Sequence, residues 1–276
     1  MEVSGVKKSA KDSWAVITGA TSGIGLEFTR QLARQGYQLL LVARRGGRLY
    51  HMKEQLGKHG VRAQVLMADL VTDYGREMLT SWMTKHKVEV FINNAGFGLA
   101  GSFLETDVQR EQQMIDLNIS AMHHLLKAAL QTMNERGEGY ILNVASSAGL
   151  LPGGPYMATY YATKAYVASL TQAVAEEMRL AGSGIYVGCL CPGPVDTEFN
   201  KVADVQFALK GITPEKCVKT ALNGMKKRKV VIVPTLTIKG AVVGGRLLPR
   251  KMAVKLTARQ QRRKTADGPQ SKRAGK

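Results

Sequence analysis

The tightest constraint on the fold lies within the first forty residues, where Trp14–Thr18 (WAVIT) reads as a short buried strand. It runs without a linker into Gly19-Ala20-Thr21-Ser22-Gly23-Ile24-Gly25, after which Ile24, Phe28, Leu32 and Ala33 recur at helical spacing. Glycines let a backbone turn sharply and let a pyrophosphate approach. The helix N-terminus behind them offers unpaired N–H groups and a partial positive charge. Gly36 ends the helix, and Tyr37–Ala43 (YQLLLVA) is a second buried strand. At its end a site for NAD would place an acid, about 20 residues beyond the turn, on the ribose 2′-hydroxyl. Arg44 and Arg45 stand there instead. An arginine suits a 2′-phosphate, so the expected cofactor is NADP(H), with Arg44 as the contact.

The alternation continues. A helical stretch ends at Gln55–Lys58, Ala63–Met67 is a strand capped by Asp69-Leu70, and Tyr74–Lys85 is helical. Val88–Ile92 is a strand leading into Asn93-Asn94-Ala95-Gly96. Residues 107–136 read as one long helix with Met114, Leu117, Ala121, Leu125 and Ala128 on one face. Asn118 sits among them, and a buried amide needs partners, either structural ones or a functional water. Tyr140–Ala145, Ile185–Cys191 and Val230–Val233 are further strands, with a helix over Met157–Leu180. Thr213-Pro214-Glu215 has helix-start chemistry, a threonine cap with proline at the first position. Strands alternating with helices this regularly mean a doubly wound α/β fold on a parallel sheet.

Tyr160 and Lys164 open the helix after β-type residues 140–145, four positions apart and therefore on one helix face. An ammonium beside a phenol favours phenolate and draws its pKa from about 10 toward the working pH. That makes an acid/base pair. Alone the pair is an ordinary amphipathic face; its neighbours give it meaning.

Composition adds little except at one end. Residues 1–200 carry 19 Lys and Arg against 18 Asp and Glu, whereas residues 201–276 carry 20 against 3. Nearly all of the formal net charge of +18 lies in the last quarter. The three cysteines, Cys189, Cys191 and Cys217, are too few for a disulfide framework and read as core, with no cluster for a metal. A reducing, cytoplasmic setting is expected. The polar N-terminus has no signal-peptide core, and no apolar run reaches the length of about 18 residues that a membrane span needs.

Taken together, TGATSGIG (18–25), NNAG (93–96), Asn118, the serines ending the 140–145 strand, YYATK (160–164) and PGPVDT (192–197) resemble the short-chain dehydrogenase/reductase superfamily in order and spacing. The resemblance spans about Trp14 to Val233, and the wording is similar to the bacterial-type, DltE-like oxidoreductases. The chain reads as complete. The resemblance implies a Rossmann domain over 14–234, after a polar lead over 1–13 and before a basic, partly disordered helix and tail over 235–276. It implies Tyr160 as acid/base, Lys164 lowering its pKa and holding the nicotinamide ribose, and a serine positioning the substrate oxygen. Asn118 would hold a proton-relay water. Gly19, Thr21, Ser22, Gly23, Ile24 and Gly25 would cradle the pyrophosphate, and Asp69 with Leu70 would meet the adenine. Asn94, Ala95 and Gly96 would line the cleft, and Pro192, Gly193, Val195 and Thr197 would flank the carboxamide.

The family usually sets serine and tyrosine 13 positions apart, which gives Ser147. Aligning the strand end gives Ser146, with Gly153-Gly154 as a one-residue insertion in the intervening turn. An insertion in a surface turn is cheaper than slipping a buried strand, so Ser146 is selected. The expected activity is hydride transfer between a carbonyl compound and an alcohol; the alternative is a non-enzymatic dinucleotide-binding sensor or scaffold. Residues 97–103, 150–156 and 199–209 lean apolar, which suggests a lipophilic substrate, and 199–211 would form a mobile lid. A homodimer or tetramer follows by analogy, through the helix carrying Asn118.

From Pro249 the chain has helical character, with Lys251, Lys255, Arg259 and Arg262 on one face beside Met252, Ala253 and Leu256. After Lys264 it reads as disordered. The basic tail would be solvated or dock on an anionic membrane. Nucleic acid is disfavoured because the tail has no aromatic side chain to stack on bases.

Overall fold

The computed structural model describes residues 13–198 and 211–266. Within them lie β1 (Trp14–Thr18), β2 (Gln38–Ala43), β3 (Ala63–Met67), β4 (Val88–Asn93), β5 (Glu138–Val144), β6 (Gly184–Leu190) and β7 (Val231–Ile232). They form one sheet in the order β3-β2-β1-β4-β5-β6-β7, and every pairing is parallel. The doubly wound α/β fold expected from the alternation is what the chain adopts.

Both faces of the sheet are covered, and its strands carry near-continuous apolar runs such as Leu39-Leu40-Leu41-Val42 in β2 and Phe91-Ile92 in β4, as parallel strands buried on both sides do. Val16, Val42, Phe91 and Ile141 pack beneath α3 (Asp73–Thr84), α5 (Met122–Asn134) and α6 (Ala158–Leu180). Their sequence neighbours Ile17, Leu41, Ile92 and Leu142 face α1 (Gly23–Arg34), α2 (Gly46–Lys58) and α7 (Pro214–Lys226). The cap of α7 is as expected, Thr213 accepting from the backbone N–H of Lys216 at 3.2 Å. Between β1 and β4 the winding reverses, and such switch points leave a crevice at the carboxyl ends of the strands.

One expected helix is not continuous. Residues 107–136 divide into α4 (Val108–Ile115), a π-helical segment (Asp116–Ala121) and α5. A π turn takes in one extra residue, which shifts the face that the following residues present. Asn118 thereby lies 1% exposed. The same place is held by a buried polar chain: Asn93 donates to the Met122 carbonyl at 2.9 Å and to Asn143 at 3.2 Å, and Asn143 donates to Thr171 at 2.9 Å.

Beyond the sheet come α8 (Leu236–Leu247) and α9 (Arg250–Ala266). The helix and tail expected over 235–276 are two helices, the second starting next to Pro249, where helical character was expected, and running two residues past Lys264, where disorder was expected to begin. The expected apolar stripe of α9 divides: Ala253, with Thr257 and Gln261, is buried, whereas Met252 and Leu256 are exposed. No described helix is long and apolar enough to cross a membrane.

Candidate active site

Gly19, with φ of 67°, turns the chain from β1 into the mouth of the crevice. Gly25 is demanded by a close approach, since a Cβ there would lie 2.2 Å from the Gly19 carbonyl oxygen. No side chain caps the N-terminus of α1 and no acid stands in its first turn, so its N–H groups and dipole are directed at the cleft. Asn94 ties the end of β4 to this turn: its backbone N–H donates to the Thr18 hydroxyl at 2.8 Å and its amide to the Thr18 carbonyl at 2.8 Å. A glycine turn before an uncapped helix N-terminus has the chemistry to hold a dinucleotide's pyrophosphate.

The cleft has a volume of about 490 Å³. Of the residues expected on the cofactor, Gly19, Thr21, Ser22, Gly23, Ile24, Arg44, Asp69, Leu70, Asn94, Ala95 and Gly96 line it, as do Tyr160, Lys164, Pro192, Gly193, Val195 and Thr197. Gly25 lies behind the wall and shapes it. At the end of β2, Arg45 donates to the Thr21 hydroxyl at 3.1 Å, and Arg45 and Arg48 share Glu198 at 3.7 and 3.0 Å. Arg48 holds the Glu198 carboxyl below the ordinary range. Arg44 lines the cleft and makes no ion pair among the described residues.

At the other end, Ser146 begins a short 3₁₀ turn, its hydroxyl accepting from the Ala148 N–H at 3.2 Å. It is this serine that is hydrogen-bonded to the Tyr160 hydroxyl. Ser147 also lines the cleft, and its backbone N–H donates to the Pro192 carbonyl at 2.8 Å. Lys164 donates to the Val144 carbonyl at 2.8 Å, with Nζ 6.0 Å from the Tyr160 ring centre. Tyr160 is 8% and Lys164 6% exposed.

Burial governs both titrations. It pushes the Tyr160 phenol up to about 12, against a smaller lowering by the Ser146 hydrogen bond. It brings the Lys164 ammonium down to about 8. Their spacing led to the expectation of a lowered phenol pKa; burial raises it instead.

Asn118 stands behind the lysine. Its amide donates to the Phe97 carbonyl at 2.9 Å and to Thr163 at 3.1 Å, and its oxygen accepts from the Phe97 N–H at 3.1 Å. Gly96 threads between them: a Cβ there would lie 2.8 Å from the Asn118 oxygen and 3.4 Å from Lys164 Nζ.

The sequence reading missed part of the substrate end. Phe97 and Leu151 line it as expected, but so do Met157, Tyr161, and Ile238, Ala241 and Gln261 from the two C-terminal helices. Tyr161 lies three residues from Lys164, not the four that separate Tyr160 from it. The only available signal was its place beside Tyr160. Gln261 had none, since it sits in a charge-rich stretch a hundred residues away. Residues 199–210, where a lid and further substrate contacts were expected, lie outside the described residues.

Residues 13–206 match the family model for short chain dehydrogenases. An uncharacterised oxidoreductase of Staphylococcus epidermidis is 33% identical over 196 residues, 70% of this chain and 83% of the relative. A very-long-chain 3-oxoacyl-CoA reductase of Danio rerio is 30% identical over 254 residues, 90% of this chain and 79% of the relative. A short-chain dehydrogenase from Sphingobium yanoikuyae, solved in complex with NADPH, superposes with a TM-score of 0.77 at 32% identity, covering 85% of this chain and 93% of that one.

Proposed function

The chain belongs to the short-chain dehydrogenase family and is an oxidoreductase acting on carbonyl and CH–OH groups with a nicotinamide dinucleotide; we propose that it prefers NADP(H) and a lipophilic carbonyl substrate, with Tyr160 as its acid/base. The observation that carries this reading is the Ser146–Tyr160–Lys164 group, its tyrosine and lysine buried and its serine half-buried, in a glycine-floored cleft. NADPH supplies the hydride when bound. Tyr160, neutral at working pH because burial raises its pKa, would give its proton to the carbonyl oxygen. Ser146 holds that oxygen and stabilises the phenolate left behind, beside the Lys164 ammonium. Asn118 acts by position, fixing Phe97 and Thr163 around the lysine.

Support for NADP(H) is Arg44, exposed on the cleft while its neighbours share Glu198. Support for a lipophilic substrate is the apolar lining from Phe97, Leu151, Met157 and Ile238. The test is NADPH consumption over a panel of ketones and aldehydes. Tyr160→Phe is expected to lower kcat by about a thousandfold while leaving NADPH binding intact. A Phe variant that kept its rate would sink the assignment.

A second reading concerns location. Leu236, Val243, Leu247, Met252 and Leu256 are exposed on α8 and α9, interspersed with exposed Lys239, Arg246, Lys251, Lys255 and Arg259. An apolar surface set among cations suits an anionic bilayer. Co-sedimentation with anionic vesicles, absent with neutral ones and lost on cutting after Pro249, is the expected result; equal pelleting with both lipids would discard it. A dimer or tetramer through α4 and α5 is the assembly that the family resemblance implies, and light scattering reports it.

A further inference from the structure

Two polar groups at the substrate end take no part in the reaction as described. Tyr161 is 8% and Gln261 3% exposed, and Gln261 Nε2 donates to the Tyr161 hydroxyl at 2.6 Å. Both line the cleft among apolar neighbours. Neither side chain makes a further hydrogen bond among the described residues. A phenol that accepts one hydrogen bond keeps its own hydrogen, and the amide keeps its oxygen and a second hydrogen. The pair therefore offers both a donor and an acceptor to whatever shares the cleft.

The surrounding structure fixes this pair in place. A Cβ on Gly154 would lie 2.3 Å from the Tyr161 ring, so only glycine lets the ring seat there. Next to it, Gly153 has φ of 61° and faces Val254 of α9, while Tyr156 holds a left-handed φ of 65°. The doubled glycine that lengthens the Ser146–Tyr160 spacing is thus the seat of Tyr161 and the place where α9 docks. Keeping under-used hydrogen-bonding groups in an apolar pocket carries a desolvation penalty that a matching ligand group offsets.

We propose, resting on the carbonyl-reductase reading, that Tyr161 and Gln261 recognise a second oxygen function on the substrate. The preferred substrate is then a lipophilic ketone that also bears a hydroxyl, ester or thioester oxygen near the reacting carbonyl, not a plain hydrocarbon ketone. The pair is a specificity determinant, supplied partly by the C-terminal helix.

The experiment uses the full chain with NADPH and two probes of matched length, a medium-chain 3-oxo ester and the methyl ketone lacking the ester. The wild type should favour the ester in kcat/KM by about tenfold or more. Tyr161→Phe and Gln261→Met each remove the hydrogen bond with little change of shape, and thermal unfolding verifies that both fold. Each should lower the ester-to-ketone ratio about tenfold, chiefly through KM for the ester. A wild-type ratio near one, or a ratio unchanged in both variants, overturns the inference while the reductase reading stands. A wild type that reduces neither probe, nor any other carbonyl in the panel, removes the reading and the inference together.

Discussion

The two ends of the cleft are built by different means. The cofactor end is made of backbone: glycines, a helix N-terminus and strand ends, contributed by short contiguous motifs. The substrate end is made of side chains from segments far apart in sequence, Phe97 after β4, Tyr161 in α6, and Ile238 and Gln261 in α8 and α9. A dinucleotide's phosphates can be bound by any chain that brings free N–H groups to one point, so that end is fixed by local geometry. Substrate recognition depends on which side chains meet, and loops and late helices can change it without disturbing the sheet.

The sharpest way to break this comparison is Gly25→Ala. A methyl group 2.2 Å from the Gly19 carbonyl must displace main chain, and NADPH affinity is expected to fall more than a hundredfold, by fluorescence titration. If affinity survives, the cofactor end is not the rigid backbone cradle described.

Lys164 joins the two ends, and its burial has a pH signature. Its folded pKa of about 8 lies below that of an ordinary exposed lysine, so between these the unfolded chain binds the extra proton and stability rises with pH. Below about 8 the group therefore opposes folding by a few kcal/mol. Tyr160, with a folded value of about 12 above that of an ordinary exposed tyrosine, acts oppositely, and its contribution to stability is lost as pH rises between them. Denaturant unfolding should show Lys164→Met more stable than wild type at pH 7, with the gap closing toward pH 10. A gap independent of pH would assign the difference to packing.

Arg44→Asp sharpens the cofactor end. Losing a charge-assisted contact to a 2′-phosphate should shift preference from NADP(H) toward NAD(H) by about ten- to a hundredfold. An unchanged ratio would move that role to Arg45 or Arg48.

Cutting after Pro249 removes α9 and, with it, Gln261. NADPH affinity should stay within about twofold while kcat/KM for the substrate falls about tenfold. Equal losses at both ends would mean that α9 supports the whole cleft.

How much could be read from the sequence follows the same division. WAVIT followed by GATSGIG, and the regular alternation after it, dictated a parallel doubly wound sheet, because strand and helix periods and glycine turns are local properties of a chain. The choice of Ser146 over Ser147 came from the cost of slipping a buried strand; both serines line the cleft, and Ser146 is the one hydrogen-bonded to Tyr160. Three things needed the tertiary structure. The π turn at Asp116–Ala121 depends on Asn93 and Phe97, which are distant in sequence. The opposed shifts of Tyr160 and Lys164 depend on burial, a property of everything packed around them. The return of α9 to the cleft rests on the Gln261–Tyr161 hydrogen bond and the room left by Gly154. A local pattern is written in neighbouring residues, whereas desolvation and long-range contact exist only once the chain has closed on itself.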